Sequence, residues 1–336
     1  MKITICGGGN LGHVCAGYFS SQLNNEVSLL TTKPEAWSHR VDVVAPEEIV
    51  YHGFLCKISD KAQDVIPNAD MVLLCLPGFA LKGVLTVIMP LLSYNTWVGT
   101  VVSSTGFFYE AMKLLPKSQP LFGFQRVPFI SRILEYGHKA ELKGYKKTLN
   151  VAVEQFVDKE SIRCTLERLF HIKVNLLGSY YEASLSNSNP LLHTSRLYTM
   201  WKDWKPGVFY NTNPGFYSDW TLDASELYLA MDIEFQKLLE ILGVRKDSIP
   251  SVLEYYESSD AVSLTKKIKS IPAFQGIDSP MKLVADGWVP DFGSRYFRED
   301  FPYGLFFIYN LMLKHQIKCP YIAEVYNWGS SKCNGF

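Results

Sequence analysis

The sequence lacks an excess of either charge. Lysine and arginine together number 33, aspartate and glutamate also number 33, and the formal net charge is therefore zero. Proteins that bind nucleic acids or anionic membrane surfaces carry a basic excess. We therefore expect neither a nucleic acid nor a membrane surface as a partner.

The chain also lacks cysteines at CxxC spacing. Its seven cysteines are scattered, and Cys6, Cys15 and Cys75 lie in apolar stretches, where they are expected as small buried side chains. An odd, scattered set is not typical of a disulfide framework. This pattern predicts a reducing, cytoplasmic compartment, and no metal site is predicted.

Long hydrophobic runs are missing as well. The most apolar region, Met71 to Leu92, is broken by Pro77, Lys82 and Pro90, which argues against a transmembrane helix. Because an apolar strand begins at residue 2, we expect no signal peptide. With 47% hydrophobic and 20% charged residues over 336 positions, the chain is expected to bury a sizeable core and to form two domains.

The strongest motif that is present lies within the first twelve residues. A short apolar strand runs into Gly7-x-Gly9-x-x-Gly12, and residues 11–23 have helix-compatible spacing. This combination predicts the phosphate corner of a dinucleotide-binding βαβ unit, in which the helix N-terminus faces the phosphates. The alternative is an ordinary structural βα turn. The predicted cofactor-binding residues of this corner are Gly7, Gly9, Asn10, Leu11 and Gly12.

The loop after the second predicted strand bears on the choice of cofactor. An NAD site usually has an acidic residue about 20 residues past the glycines, but this loop has Thr31, Thr32 and Lys33. Hydroxyl groups and a cation suit a 2′-phosphate, so the pattern favours NADP, with NAD left open. A solvated surface lysine is the alternative interpretation.

Further strands complete the predicted first domain. Residues 69–76 form a continuous apolar run, typical of a strand buried on both faces, and Leu76 and Pro77 are expected beside the cofactor. Strands are also predicted over residues 97–102, 121–124, 148–156 (outer and antiparallel) and 173–177, and helices over 81–92 and 158–170. These elements predict a Rossmann-type, doubly wound α/β domain over residues 1–178.

The second part of the chain, residues 179–336, is predicted to be all-helical. Helical periodicity covers residues 182–203, 222–242 and 301–315, and no strand is predicted after residue 178. Loops are expected over 205–220 and 271–294. A helical domain packed on a Rossmann domain predicts an active cleft between the two.

Two polar segments of this second part are candidates for the chemistry. Asn189 and His193 are four residues apart in a predicted helix, and share a face. Taken alone, a histidine such as His193 more often has a structural or surface role than a catalytic one. Arg295 and Asp300 lie in a charged segment crowded with aromatic residues, where pairing of charges is expected. Asp300 precedes an apolar helix and is predicted to be its N-cap.

These segments carry a resemblance to a known family. Residues 7–13 (GGGNLGH), Asn189-Pro-Leu-Leu-His193 and Arg295-x-x-x-x-Asp300, followed by Phe-Pro-Tyr-Gly-Leu, resemble the NAD(P)-dependent octopine/nopaline (opine) dehydrogenases. The resemblance covers nearly the whole chain and implies a Rossmann domain followed by a helical domain of the 6-phosphogluconate dehydrogenase C-terminal type. It further implies that His193 and Asp300 form an acid/base dyad and that Arg295 binds substrate. Asn189 is a candidate for a second substrate contact.

The resemblance also implies a reaction and its partners. Opine dehydrogenases couple the amine of an amino acid to a 2-oxo acid and reduce the imine with the nicotinamide hydride. The expected partners are these small molecules, and a homodimer is also an expectation. The chain is short for the family and has a distinctive aromatic loop at 201–220 and a distinctive tail at 330–336, which leave the substrate open.

Two alternatives remain at this point. One is an NADP-dependent 2-oxo acid reductase of the ketopantoate reductase type, although that chemistry typically relies on a lysine. The other is a protein that senses NADP(H) without turnover, which would be expected to lack one of the polar groups His193, Arg295 and Asp300.

Overall fold

The chain folds into two compact units. A computed structural model describes residues 1–333, so the last three residues of the tail lie outside the described part. The first unit comprises Met1–Ser184, and the second begins at Leu185.

The first unit alternates strands and helices along most of its length. Its strands are β1 Lys2–Cys6, β2 Glu26–Leu30, β3 Arg40–Val44, β4 Val50–Phe54, β5 Lys57–Ser59, β6 Met71–Leu74, β7 Trp97–Thr100, β8 Leu121–Phe124, β9 Phe129–Glu135, β10 Lys139–Tyr145, β11 Thr148–Glu154 and β12 Lys173–Leu176. Its α-helices are α1 Asn10–Ser20, α2 Ala62–Val65, α3 Gly78–Ile88, α4 Phe107–Leu114, α5 Lys159–Phe170 and α6 Tyr180–Ser184.

Eight of these strands form one sheet, in the order β12-β11-β8-β7-β6-β1-β2-β5. The strands from β8 to β5 in this order are parallel, and Ile3 of β1 lies opposite Val27 on one side and Met71 on the other. Strand order therefore reverses at β1, which is the switch point where doubly wound sheets bind ligands. The predicted Rossmann-type architecture is confirmed.

One feature of this sheet differs from the prediction. β11 is antiparallel to β8, as predicted, but it is not an outer strand. Helix α5 returns the chain so that β12 pairs in parallel along the other side of β11. The interior position explains why Val151, Ala152 and Val153 are all buried.

A second sheet of the first unit was not predicted. It has four strands in the order β4-β3-β10-β9, and β3 pairs with β10 in parallel. Helix α1 packs closely on this sheet, because a Cβ on Gly17 would lie 2.6 Å from Cγ2 of Val43. The sheet joins two segments far apart in the chain, so local sequence pattern does not reveal their pairing.

The second unit is mainly helical. Its elements are α7 Asn189–Trp201, α8 Leu222–Ile241, α9 Val252–Tyr255, α10 Ala261–Ser270, β13 Met281–Val284, β14 Gly287–Pro290, a π-helix Tyr296–Leu305, α11 Phe306–Lys314 and α12 Pro320–Lys332. The expectation that no strand follows residue 178 is wrong, because β13 and β14 form an antiparallel hairpin. Each strand has only four residues and β13 is largely exposed, so neither shows the apolar pattern that predicts a strand.

Two predicted helices also differ in the structure. The helix expected over 182–203 is divided into α6 and α7, with Pro190 in the first turn of α7. A proline at this position begins a helix, because it has no N–H to donate to a preceding turn. The first five residues of the helix expected over 301–315 belong to the π-helix, which begins at Tyr296. Asp300 therefore lies inside a helical segment, and the N-cap prediction is wrong.

Candidate active site

The glycine turn follows β1 at the switch point of the sheet. Gly7 has φ +114°, a backbone conformation that favours glycine, and a Cβ there would lie 2.6 Å from the carbonyl oxygen of Cys75. Both the backbone conformation and the lack of space therefore exclude a side chain. A Cβ on Gly12 would overlap the carbonyl oxygen of Gly7. The turn and the start of α1 are therefore as close as their backbones allow.

The start of α1 is open where the turn ends. Gly9 is the N-cap residue, no side chain caps the helix, and a Cβ on Gly9 would meet nothing within 4 Å. Asn10 is directed elsewhere, since its side-chain oxygen accepts a hydrogen bond from the N–H of Ile133. Leu11 is half-buried beside it. Uncapped N–H groups next to open space have the geometry that binds phosphate at a helix N-terminus.

His13 fixes this corner to the second sheet. Its Nδ1 lies 3.0 Å from the carbonyl oxygen of Gly9, and its Nε2 accepts a 2.7 Å hydrogen bond from the N–H of Gly137, in the β9–β10 turn. The ring packs on Trp37, with centroids 4.0 Å apart. Burial lowers the pKa of His13, so the imidazole is held neutral with its proton on Nδ1. Sequence analysis missed this residue, although it directly follows the last glycine.

The predicted ribose loop lies at the end of β2. Thr31 is buried, and its hydroxyl oxygen accepts a hydrogen bond from the N–H of Lys33, whereas Thr32 and Lys33 are exposed. The Nζ of Lys33 is 6.0 Å from the ring centroid of Tyr136. Thr31 therefore shapes the loop, and the other two side chains are available to a ligand.

Leu76 and Pro77 lie at the end of β6, next to the glycine turn. A Cβ on Gly7 would lie 2.9 Å from Cδ2 of Leu76, and Pro77 is the N-cap residue of α3. The carboxyl ends of β1, β2 and β6 thus bring together the predicted cofactor-binding residues of the first unit.

His193 and Asp300 meet in the second unit. Nδ1 of His193 lies 2.8 Å from Oδ2 of Asp300, and the two side chains are 10% and 15% exposed. Their helices approach closely because Gly304 has no side chain: a Cβ there would lie 2.5 Å from Cγ of Pro190. The Asn-Pro and Pro-Tyr-Gly segments of the sequence are therefore packed against each other.

The other nitrogen of the imidazole is also bound. Nε2 of His193 lies 2.8 Å from the hydroxyl oxygen of Tyr217. A carboxylate only accepts hydrogen bonds, so Nδ1 carries a proton to donate to Asp300. In the neutral ring, Nε2 then accepts from the Tyr217 hydroxyl. Sequence analysis singled out the aromatic loop but not Tyr217, because a loop tyrosine carries no signal of its partner.

Arg295 and Asn189 lie near the dyad in sequence but do not join its hydrogen bonds. Arg295 is 83% exposed, and its Nε donates a 2.8 Å hydrogen bond to Glu299, which raises the pKa of the guanidinium. Asn189 begins α7, is half-buried and lies one turn before His193. Substrate binding by these two side chains stays a prediction.

The chain is similar to several known dehydrogenases. Residues 176–333 match the model of the family described as NAD/NADP octopine/nopaline dehydrogenase, alpha-helical domain. The chain is 29% identical over 337 residues to tauropine dehydrogenase of Arabella iricolor, with 90% of this chain and 84% of that protein covered. It is 26% identical over 363 residues to opine dehydrogenase of Haliotis discus hannai, with 98% and 89% covered.

The second part of the chain is therefore similar to the helical domain of the octopine/nopaline dehydrogenases, and the whole chain is similar to opine and tauropine dehydrogenases. Its fold is similar to that of octopine dehydrogenase solved with NADH and L-arginine, with a TM-score of 0.85, 24% identity, and 99% of this chain and 89% of that chain covered. Similar folds have been solved with NADH and with NADP⁺.

The similarity to these dehydrogenases indicates an NAD(P)-dependent oxidoreductase of the opine dehydrogenase type, acting on CH–NH donors. Within residues 1–333, no group of three or more His, Cys, Asp or Glu side chains is arranged to hold a metal ion. The helices in the same range include none with the length and apolar character needed to span a bilayer.

Proposed function

We propose that this protein is an opine dehydrogenase that prefers NADP(H) and couples an amino acid to a 2-oxo acid. The observation that carries the proposal is the contact between His193 and Asp300, at 2.8 Å, inside the domain that matches the family. A carboxylate that fixes the imidazole and stabilises its charged form is the arrangement of an acid/base pair.

The first unit fits the cofactor. The open space at Gly9 and the uncapped N-terminus of α1 suit a pyrophosphate. The exposed Thr32 and Lys33 suit a 2′-phosphate, and this loop is the basis for proposing NADP(H) over NAD(H). Gly7, Asn10, Leu11, Gly12, Thr31, Leu76 and Pro77 complete the proposed cofactor site. When bound, the nicotinamide supplies the hydride.

The second unit supplies the proton and binds the substrates. Arg295 presents a planar guanidinium, which suits the carboxylate of the 2-oxo acid, and its bond to Glu299 uses only Nε. Asn189 offers an amide to the second substrate. His193, held by Asp300, provides the proton.

The proposed reaction joins the two substrates, loses water and then takes up hydride. The amine adds to the 2-oxo carbon and gives a carbinolamine. A proton from the His193 side then lets the hydroxyl leave as water, with the electron pair of its C–O bond, while the nitrogen lone pair forms the C=N bond. Hydride addition to the imine carbon gives the secondary amine of the product.

The experiment is to follow NADPH and NADH oxidation by the purified protein with pyruvate or another 2-oxo acid. We expect oxidation only when an amino acid from a panel is also present, and a condensed product by mass spectrometry. Oxidation with the 2-oxo acid alone would indicate a simple 2-oxo acid reductase. Cofactor binding without oxidation under any combination would indicate a sensing protein.

Cytoplasmic location and a homodimer remain predictions. The seven cysteines are all free thiols, which suits a reducing compartment. Light scattering of the purified protein would determine its oligomeric state, and fractionation of cells would determine its location.

A further inference from the structure

We propose that Tyr217 is a further catalytic residue of the reaction, relaying the proton between His193 and the substrate. This inference rests on the proposed function and adds a group to it. The geometry that carries it is the hydrogen bond from Tyr217 to the nitrogen of His193 that faces away from Asp300, at 2.8 Å.

The imidazole has no nitrogen left for the substrate. Nδ1 is bound to Asp300 and Nε2 to Tyr217, both at 2.8 Å. Any proton that leaves His193 without disrupting the dyad must therefore leave through Nε2 and meet the Tyr217 oxygen first.

The Tyr217 hydroxyl can pass that proton on. A phenolic hydroxyl can donate one hydrogen bond and can also accept one. Its contact with Nε2 uses only one of these two roles. Among residues 1–333, no second hydrogen-bond partner of this hydroxyl is found. One capacity is thus available for a substrate oxygen or nitrogen.

Tyr217 is held in place by its ring. The side chain is 5% exposed. It stacks on Phe274, with centroids 4.1 Å apart and planes at 15°, and lies nearly parallel to Trp220 at 6.2 Å. Moving the hydroxyl away from Nε2 would disrupt these contacts, whose stacking and burial together are favourable. A relay through a fixed tyrosine requires no such movement.

Arg196 is the positioning residue for this tyrosine. It lies three residues after His193 in α7 and is buried. It donates hydrogen bonds to the carbonyl oxygens of Phe216 (3.2 Å) and Asp219 (2.6 Å) and to the hydroxyl of Thr221 (3.0 Å). Burial lowers the pKa of Arg196 to about 10, so the guanidinium is still charged at neutral pH. One helix thus positions both the imidazole and the loop that carries Tyr217.

The relay operates without a phenolate. Burial is the main cause that raises the pKa of Tyr217, and the nearby Tyr296, Tyr256 and Asp300 raise it further. The phenol therefore takes the Nε2 proton of the imidazolium while it gives its own proton to the carbinolamine hydroxyl, which leaves as water. His193 ends as neutral imidazole, and Tyr217 ends unchanged.

The test is Tyr217→Phe, which keeps the ring and its stacking and removes the hydroxyl. We expect kcat/KM to fall by about a hundredfold to ten-thousandfold, the usual effect of losing a proton-transfer group. The affinity for NADPH should not change. A proton inventory in mixtures of H₂O and D₂O should be curved for the unmodified enzyme, because two protons move together, and linear for the variant.

The matched control is Tyr198→Phe. It removes a hydroxyl from the same helix as His193, but that hydroxyl donates to Glu324 and not to the imidazole. Its kcat/KM and proton inventory should equal those of the unmodified enzyme. If Tyr217→Phe fails to fold, 3-fluorotyrosine can be placed at position 217. It keeps the shape of the side chain and alters the acidity of the phenol. A proton relay then requires the solvent isotope effect to change.

The possible results distinguish failure of the relay from failure of the proposed function. A Tyr217→Phe enzyme with unchanged or increased kcat/KM, or a 3-fluorotyrosine enzyme with an unchanged isotope effect, would overturn the relay and leave the proposed function intact. An unmodified enzyme that never couples amine and 2-oxo acid would overturn the proposed function, and the relay with it.

Discussion

His193 and Asp300 are 107 residues apart in the chain, and their side chains are in direct hydrogen-bond contact at 2.8 Å. The contact joins α7 to a π-helix, a form whose hydrogen bonds run from residue i to i+5 and which is frequent at functional sites. Arg295 lies five residues before Asp300, about one turn of such a helix away. The π-helix thus carries one of the two hydrogen-bond partners of the imidazole, and the loop that contains Tyr217 carries the other.

Replacing His193 with alanine should remove most turnover and leave cofactor binding intact. Loss of a general acid–base group typically lowers the rate by about a hundredfold to ten-thousandfold. Asp300→Asn should also lower mainly kcat, because it keeps the shape but no longer stabilises the charged imidazole. Steady-state kinetics with NADPH titrations by fluorescence would measure both. Full activity of His193→Ala would refute the assigned role.

Arg295→Ala should raise the KM for the 2-oxo acid about tenfold to a hundredfold, since a hydrogen bond to a charged group contributes about 1.5–3 kcal/mol. If the contact is equal in the ground and transition states, kcat should change little. The control is Arg298→Ala, which removes an exposed arginine from the π-helix that Arg295 directly precedes. Equal effects of the two substitutions on KM would show that only the general positive charge matters.

The ribose loop predicts tighter binding of NADPH than of NADH. Lys33→Glu should reverse this preference, because it places a carboxylate where a 2′-phosphate would lie. The change should weaken NADPH binding by roughly tenfold or more, as expected for a charge-assisted contact. Lys269→Glu, an exposed lysine of α10, makes the same charge change elsewhere. Fluorescence titration of both cofactors is the measurement, and an unmodified protein that prefers NADH would contradict the prediction.

Gly12→Ala should abolish cofactor binding and destabilise the fold. The new methyl group would overlap the carbonyl oxygen of Gly7, a backbone atom, and such overpacking typically costs about 1–3 kcal/mol. Gly83→Ala is the control, because a Cβ there, in α3, would meet nothing within 4 Å. It should stabilise the protein by about 0.5–1 kcal/mol. Thermal unfolding with and without NADPH would compare the two variants, and normal NADPH binding by Gly12→Ala would show that this corner does not hold the cofactor.

The buried His13 predicts a loss of stability in mild acid. Its pKa in the folded protein is lowered from 6.5 by burial. Above pH 6.5 the histidine is neutral in both the folded and the unfolded protein. Below pH 6.5 the unfolded chain takes up a proton that the folded protein does not. The free energy of unfolding therefore falls as the pH decreases towards the folded pKa. The loss is at most about 1.4 kcal/mol per pH unit.

His13→Gln tests this prediction, because glutamine can form both hydrogen bonds and does not titrate. Its free energy of unfolding should decrease less than that of the unmodified protein between about pH 7.5 and about pH 5.5, the range in which histidine ordinarily titrates. His138→Gln, which replaces an exposed histidine next to the same turn, is the matched control for the substitution itself. Identical pH dependence of all three proteins would refute a role for His13.

Local and contiguous features were well predicted from the sequence. The first twenty residues form the predicted strand, glycine turn and helix. Their backbone conformation and apolar spacing depend on neighbouring residues alone, so the motif and the structure coincide. The buried strand β6 was likewise evident, because a strand covered on both faces must be apolar throughout. The segments that contain His193, Arg295 and Asp300 were candidates from their polar residues, and the roles that the resemblance implies for them stay predictions.

Only the tertiary structure determined how distant segments meet. The pairing of β3 with β10, and the meeting of His193 with Tyr217, depend on packing between parts of the chain that carry no local signal of each other. The π-helix around Asp300 likewise departs from the spacing of an ordinary helix. A sequence thus specifies what each segment tends to form and bury, whereas the partners of a buried polar group are determined when the segments pack together, because only then is its hydrogen bond to water replaced by one within the protein.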